Sequence, residues 1–168
     1  MIITEADIHE IQAKMAPLLG QKAWGVSLGV GSFITLEFGV PLPRRGKHGR
    51  THGEWHLWIY MCGWRLEKGN EVLGASEDPR PKLEAAVQGM EGLALHSVEL
   101  LRPAWDTIFT FEDQVVLRTF SIYSNCEEND EYWKLFAPDG NILLIGPGTR
   151  WSYESAFINR PLPESKIP

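Results

Sequence analysis

GQKAWGVSL, residues 20–28, and GLALHSVEL, residues 92–100, decide how this chain is read, because they pair Gly20 with Gly92, Val26 with Val98 and Leu28 with Leu100. Working outward, FITLE (33–37) aligns with IFTFE (108–112), which pairs Thr35 with Thr110 and Glu37 with Glu112. WHLWIY (55–60) follows with VVLRTF (115–120), then WRLEKGNEVL (64–73) with WKLFAPDGNILL (133–144). Matches that keep their order along a chain are the signature of an internal repeat.

A helix precedes each series. TEADIHEIQAKMAPLLG starts with Thr4 and Asp7 in capping-box spacing, carries Ile8, Ile11, Met15 and Leu18 at helical intervals, and closes at Pro17 and Gly20. DPRPKLEAAVQGMEG offers Asp78 as cap, Pro79 at the first helical position, and Leu83, Val87 and Met90 on one face. The remaining segments, FITLEF, EWHLWIYMCGWRLE, TIFTFE, VVLRTFSIY, YWKLF and NILLIG, are rich in aromatic and β-branched residues, and KGN (68–70) and PDGN (138–141) are hairpin signals. The expected fold is therefore α+β: a pseudo-twofold tandem duplication of a helix followed by an antiparallel meander of about four strands. Residues 1–76 form the first repeat and 77–160 the second, packed as one unit, with 161–168 as a C-terminal tail.

Composition bounds the function. The 168 residues are 43% hydrophobic, enough to bury a core, and carry a net charge of −6, which disfavours nucleic acid and anionic membrane as partners of the whole molecule. Two cysteines, Cys62 and Cys126, are too few for a disulfide framework. The N-terminus has no apolar signal region, and no apolar run reaches the length of a membrane span. The expectation is an unprocessed, soluble, cytoplasmic protein with no membrane contact.

Function is sought where one repeat departs from the other. The alignment offset falls from 75 to 60 between the second and third matches, which places fifteen extra residues at GVPLPRRGKHGRTHG (39–53). The second copy makes a tight turn there, around Asp113 and Gln114. Arg44, Arg45, Lys47 and Arg50 concentrate positive charge in this loop, a device for an anionic group or acidic partner and equally the composition of a solvated loop. The second copy has its own acidic elaboration, YSNCEENDE (123–131), with Glu127, Glu128, Asp130 and Glu131. Those acids suit a basic partner, the basic loop of the same or a second subunit, or solvent.

His52 and His56 flank the basic loop and are candidates for general acid–base work, since imidazole titrates near neutrality. With Glu54 or Cys62 they could ligate zinc, but Gly49 and Gly53 break a helical spacing and no clear fourth ligand appears, so no metal site is assigned. Trp58 has Arg118 as its repeat counterpart, so it is a candidate stacking surface, with an additional core contact as the alternative. Glu37 and Glu112 alternate with large apolar residues and read as members of a solvated sheet face. IGPGTRWSYES (145–155) lacks phosphate-loop spacing, and no nucleophile motif is present. No catalytic residue and no cofactor is assigned.

GSFITLEFG, GEWHLWIYMCGWRLE and WKLFAPDGNILLIGPG resemble strings in small bacterial proteins of uncharacterised role, and the W-x-L-x-x-P-D-G pattern of Trp133 to Gly140 is similar to sequences in immunity-type proteins that neutralise polymorphic toxins. That resemblance implies a bacterial, cytosolic binder rather than an enzyme. The expected function is a non-enzymatic, immunity-like inhibitor module presenting its charged insertions to a protein partner such as a basic toxin or nuclease, with a homodimer compatible. The alternative is an enzyme or binding protein for a phosphorylated small molecule or nucleotide at the basic loop.

Overall fold

A computed structural model describes residues 2–43, 49–124 and 130–156. The first helix, α1 (Glu5–Met15), is capped as its sequence requires: Asp7 N–H donates to Thr4 Oγ1 at 3.2 Å and Thr4 N–H to Asp7 Oδ2 at 2.8 Å. Ile11 and Met15 are buried on one face. Strands β1 (Trp24–Leu28), β2 (Ile34–Pro41) and β3 (Gly53–Ile59) follow, then β4 (Gly63–Lys68) and β5 (Glu71–Ala75). Helix α2 (Arg80–Gln88) opens the second half, one residue later than expected, with Pro79 rather than Asp78 at the cap position. Asp78 instead accepts from Ala75 N–H at 3.0 Å. Beyond α2 lie β6 (Leu95–Leu101), β7 (Asp106–Phe111), β8 (Val115–Phe120), β9 (Trp133–Phe136), β10 (Asn141–Ile145) and β11 (Trp151–Ser155).

The duplicated helix-plus-meander is not the fold. The protein is mostly β, with two antiparallel sheets ordered β1-β2-β3-β9-β10-β11 and β5-β4-β8-β7-β6. Neither half keeps its strands in one meander: β4 and β5 leave the first sheet to pair beside β8, and β9 to β11 leave the second to pair beside β3. The break lies inside EWHLWIYMCGWRLE, whose unbroken apolar character reads as one strand. Tyr60 N–H and Met61 N–H donate to the carbonyls of Tyr132 and Glu131, both at 2.9 Å, and the buried Cys62 thiol donates to Tyr132 O at 3.3 Å. This corner sends Trp64 into the core, where its indole N–H reaches Ser32 O at 2.7 Å.

One apolar core takes side chains from both sheets. Period-two alternation buries Trp55, Leu57 and Ile59 of β3 beside Trp133 and Leu135 of β9, and Leu66, Phe109 and Leu117 of the second sheet. Trp133 joins the layers: its ring meets Phe109 edge-on at 5.6 Å and its N–H donates to the buried Thr107 hydroxyl at 3.0 Å. Helix α2 packs on β1 and β5, and α1 on β6. No helix among the described residues is long and apolar enough to cross a membrane. The hairpins expected at KGN and PDGN join β4 to β5 and β9 to β10. The expected C-terminal tail, 161–168, lies outside the described residues.

Burial pushes the Cys62 thiol up to about 12, so it stays protonated and shielded at neutral pH. In a Cys126→Ser background, Cys62 should resist iodoacetamide at pH 7.5 in the native protein and react fully in denaturant. Rapid native labelling, followed by mass spectrometry, would contradict the corner described above.

Candidate functional site

The outer face of the six-stranded sheet carries two cross-strand rows. Glu37 of β2 stands opposite His56 of β3, which stands opposite Phe136 of β9; Thr35, Trp58 and Lys134 form the adjacent row. Glu37 was expected on a solvated face, yet it is only 5% exposed. A buried carboxylate must find donors or lose its charge, and the return of the loop into β3 supplies them.

Glu37 Oε2 accepts from Gly53 N–H at 2.8 Å, and Oε1 accepts from His52 Nδ1 at 3.0 Å. His56 Nδ1 approaches the same Oε1 to 2.6 Å. Burial by itself would raise the Glu37 pKa, but the contacts from His56, Gly53 N–H and His52 outweigh it and hold the carboxyl below its ordinary value. Trp58 Nε1–H donates to His56 Nε2, which leaves the proton of a neutral His56 ring on Nδ1, facing Glu37. The two imidazoles lie 4.5 Å apart between ring centres.

Gly53 cannot be replaced without loss. A Cβ there would stand 2.3 Å from the Phe38 carbonyl oxygen, a backbone atom that cannot swing aside.

A cavity of about 460 Å³ opens over this cluster, lined by Arg50, His52 and His56, by the rings of Phe33 and Trp58, and by the hydroxyls of Ser27 and Thr35. His52 is half-exposed toward it while the His56 side chain is 12% exposed. Arg50 is exposed and makes no ion pair among the described residues. Trp58 meets Phe33 and Phe136 edge-on, each at 5.1 Å, and Lys134 Nζ sits 4.6 Å from its ring centre. It therefore belongs to an aromatic cluster on the outer face and not to the core.

The structure thus gathers Arg50, His52, His56 and Trp58 in one place, while the two described acidic candidates, Asp130 and Glu131, make other contacts. Glu131 pairs with Lys134 at 2.7 Å, and Arg150 donates to the carbonyl of Asp130. Arg44, Arg45, Lys47, Glu127 and Glu128 lie outside the described residues. The zinc partners considered from sequence do not join the histidines: Glu54 accepts from Val40 N–H at 3.1 Å, and Cys62 is buried at the corner. Glu37 takes that place. The missing information was the β2–β3 register, which sets Glu37 opposite His56 and which the long connecting loop conceals. A larger cavity of about 750 Å³ lies over β9 to β11, but Lys134 on its wall is already paired with Glu131. No family model, curated protein or solved structure matches the chain.

Gly53→Ala should lower unfolding stability by roughly 1–3 kcal/mol, as measured by urea denaturation. The depressed Glu37 pKa gives a signed pH dependence. Its stabilising contribution is fully present above the unfolded-state carboxyl pKa and is lost as pH falls through the lower folded value. The acid limb of a stability–pH profile should therefore be shallower in Glu37→Gln than in wild type; parallel profiles would remove Glu37 as its source.

Proposed function

We propose that the protein binds a phosphorylated small molecule or nucleotide in the cavity beside Trp58. The observation that carries this reading is the convergence of Arg50, His52 and His56 with the aromatic pair Phe33 and Trp58 around one opening of about 460 Å³. That volume falls within the range of small-molecule sites, and a few polar groups set among aromatic rings is their usual lining. Arg50 offers a planar fork of donors suited to phosphate oxygens. Phe33 and Trp58 offer ring surface to a base or other flat group. The Glu37 charge faces His52, His56 and Gly53 N–H, so it opposes an anion less than a free carboxylate would.

Acid–base chemistry on a bound ligand would fall to His52. Its Nδ1 is held by Glu37 while its ring is open to the cavity, the arrangement in which a carboxylate orients an imidazole. The inhibitor reading, with charged insertions docking on a protein, draws on less. Of its charged residues only Arg50, Asp130 and Glu131 are described, and Glu131 is committed to Lys134.

The test is a tryptophan-fluorescence and calorimetric titration of chelator-treated protein with nucleoside mono- and diphosphates, their parent nucleosides, and inorganic phosphate. The phosphorylated compounds should bind more tightly than the nucleosides. Arg50→Ala should weaken them by about tenfold, the scale of one charge-assisted contact. Equal affinity with and without the phosphate, or an undiminished Arg50→Ala variant, would refute the reading.

A further inference from the structure

We infer that Glu37, His52 and His56 form a binding site for a divalent transition-metal ion of the zinc type, held by two imidazoles and one carboxylate. One ligand atom from each of the three lies within 4.8 Å of the others. Glu37 Oε1 is 3.0 Å from His52 Nδ1 and 2.6 Å from His56 Nδ1. Zinc bonds of about 2.0–2.2 Å to nitrogen and oxygen place neighbouring ligand atoms roughly 3.3 Å apart in a tetrahedron. The three atoms need only open slightly to admit the ion.

A second observation singles out the same point. His56 Nδ1 is buried and crowds Glu37 Oε1 at 2.6 Å without meeting hydrogen-bond geometry. An ion between the two atoms would give both a ligand's role. The supporting contacts are also those of a metal site. Gly53 N–H fixes the carboxylate through Oε2, leaving Oε1 to ligate. With three protein ligands, the remaining coordination positions face the cavity lined by Arg50, Phe33 and Trp58.

The ligand set selects the class of ion. Two imidazoles with a carboxylate suit zinc and its first-row neighbours, whereas magnesium and calcium require a shell of oxygens. Coordination through His56 Nδ1 has a further consequence. The proton of the neutral ring must then sit on Nε2, which can no longer accept from Trp58 Nε1–H. Loading the ion should therefore displace the Trp58 indole and alter its emission.

This inference stands on the ligand geometry and does not rest on the anion reading. The experiment is calorimetric and fluorescence titration of the untagged, chelator-stripped 168-residue chain with zinc chloride, in the absence of any phosphorylated compound. Wild type should take up one equivalent with a change in tryptophan emission that Trp58→Phe abolishes. His52→Ala, at a half-exposed position and checked for native folding by circular dichroism, and Glu37→Gln should each bind at least about tenfold more weakly; His96→Ala, away from the cluster, should bind as wild type does. If Glu37→Gln fails to fold, His52→Ala alone decides. The site is refuted if no saturable one-to-one uptake occurs, if His52→Ala binds zinc as tightly as wild type, or if magnesium binds in preference. Phosphate discrimination in chelator, measured separately, bears only on the anion reading.

Discussion

Four backbone hydrogen bonds between residues 20–23 and 92–95 tie the two halves of the chain together at the bases of the edge strands β1 and β6. Gly20 N–H donates to Leu95 O at 2.7 Å, Leu95 N–H to Gln21 O at 3.0 Å, Ala23 N–H to Leu93 O at 2.9 Å, and Gly92 N–H to Ala23 O at 2.7 Å. The ladder starts in the segment that follows each helix, with Gly20 and Gly92 in the left-handed region at φ +86° and +78°. It ends where β1 and β6 begin. The first strand of one sheet and the first strand of the other are thus tied at their roots, and each sheet grows away from a shared origin.

The candidate site lies on the six-stranded sheet because of where β3 sits in it. β3 is interior there, flanked by β2 and β9, so its outward side chains have neighbours on both sides. Glu37 comes from β2, His56 and Trp58 from β3, and Lys134 and Phe136 from β9. The second sheet has a different occupant at the comparable interior position. Arg118 of β8 pairs with Glu67 of β4 at 3.0 Å, and Arg65 of β4 shares the same carboxylate at 2.7 Å, a partly exposed cluster of charges.

Burial of Glu37 sets the terms for everything around it. A charged carboxylate removed from water needs several donors, and each of those found here carries a cost in freedom elsewhere. Gly53 must approach so closely that no side chain is tolerated, His56 is fixed between Glu37 and Trp58, and His52 is drawn from the loop onto the sheet. Polar groups held this way are preorganised, which favours recognition or chemistry over bulk stability. The same demand anchors the return of the 42–52 connection, because His52 O also accepts from Leu42 N–H at 2.7 Å.

By itself the sequence determined what depends on short spacing. Thr4 and Asp7 specify their own cap, Ile11 and Met15 share a face by helical period, KGN and PDGN turn where glycine permits it, and Trp55, Leu57 and Ile59 face inward by strict alternation. It also marked the 39–53 stretch, with Arg50, His52 and His56, as the place to look. Only the tertiary structure decided which sheet each strand joins and that Glu37 belongs with those histidines. Strand partners are chosen by long-range packing, through the Tyr60–Cys62 corner and the burial of Trp64 and Trp133, and local periodicity carries no record of that choice. The Glu37–His56 pairing depends on register across an eleven-residue connection, 42–52, and a shift of one residue would have turned the carboxylate to the opposite face.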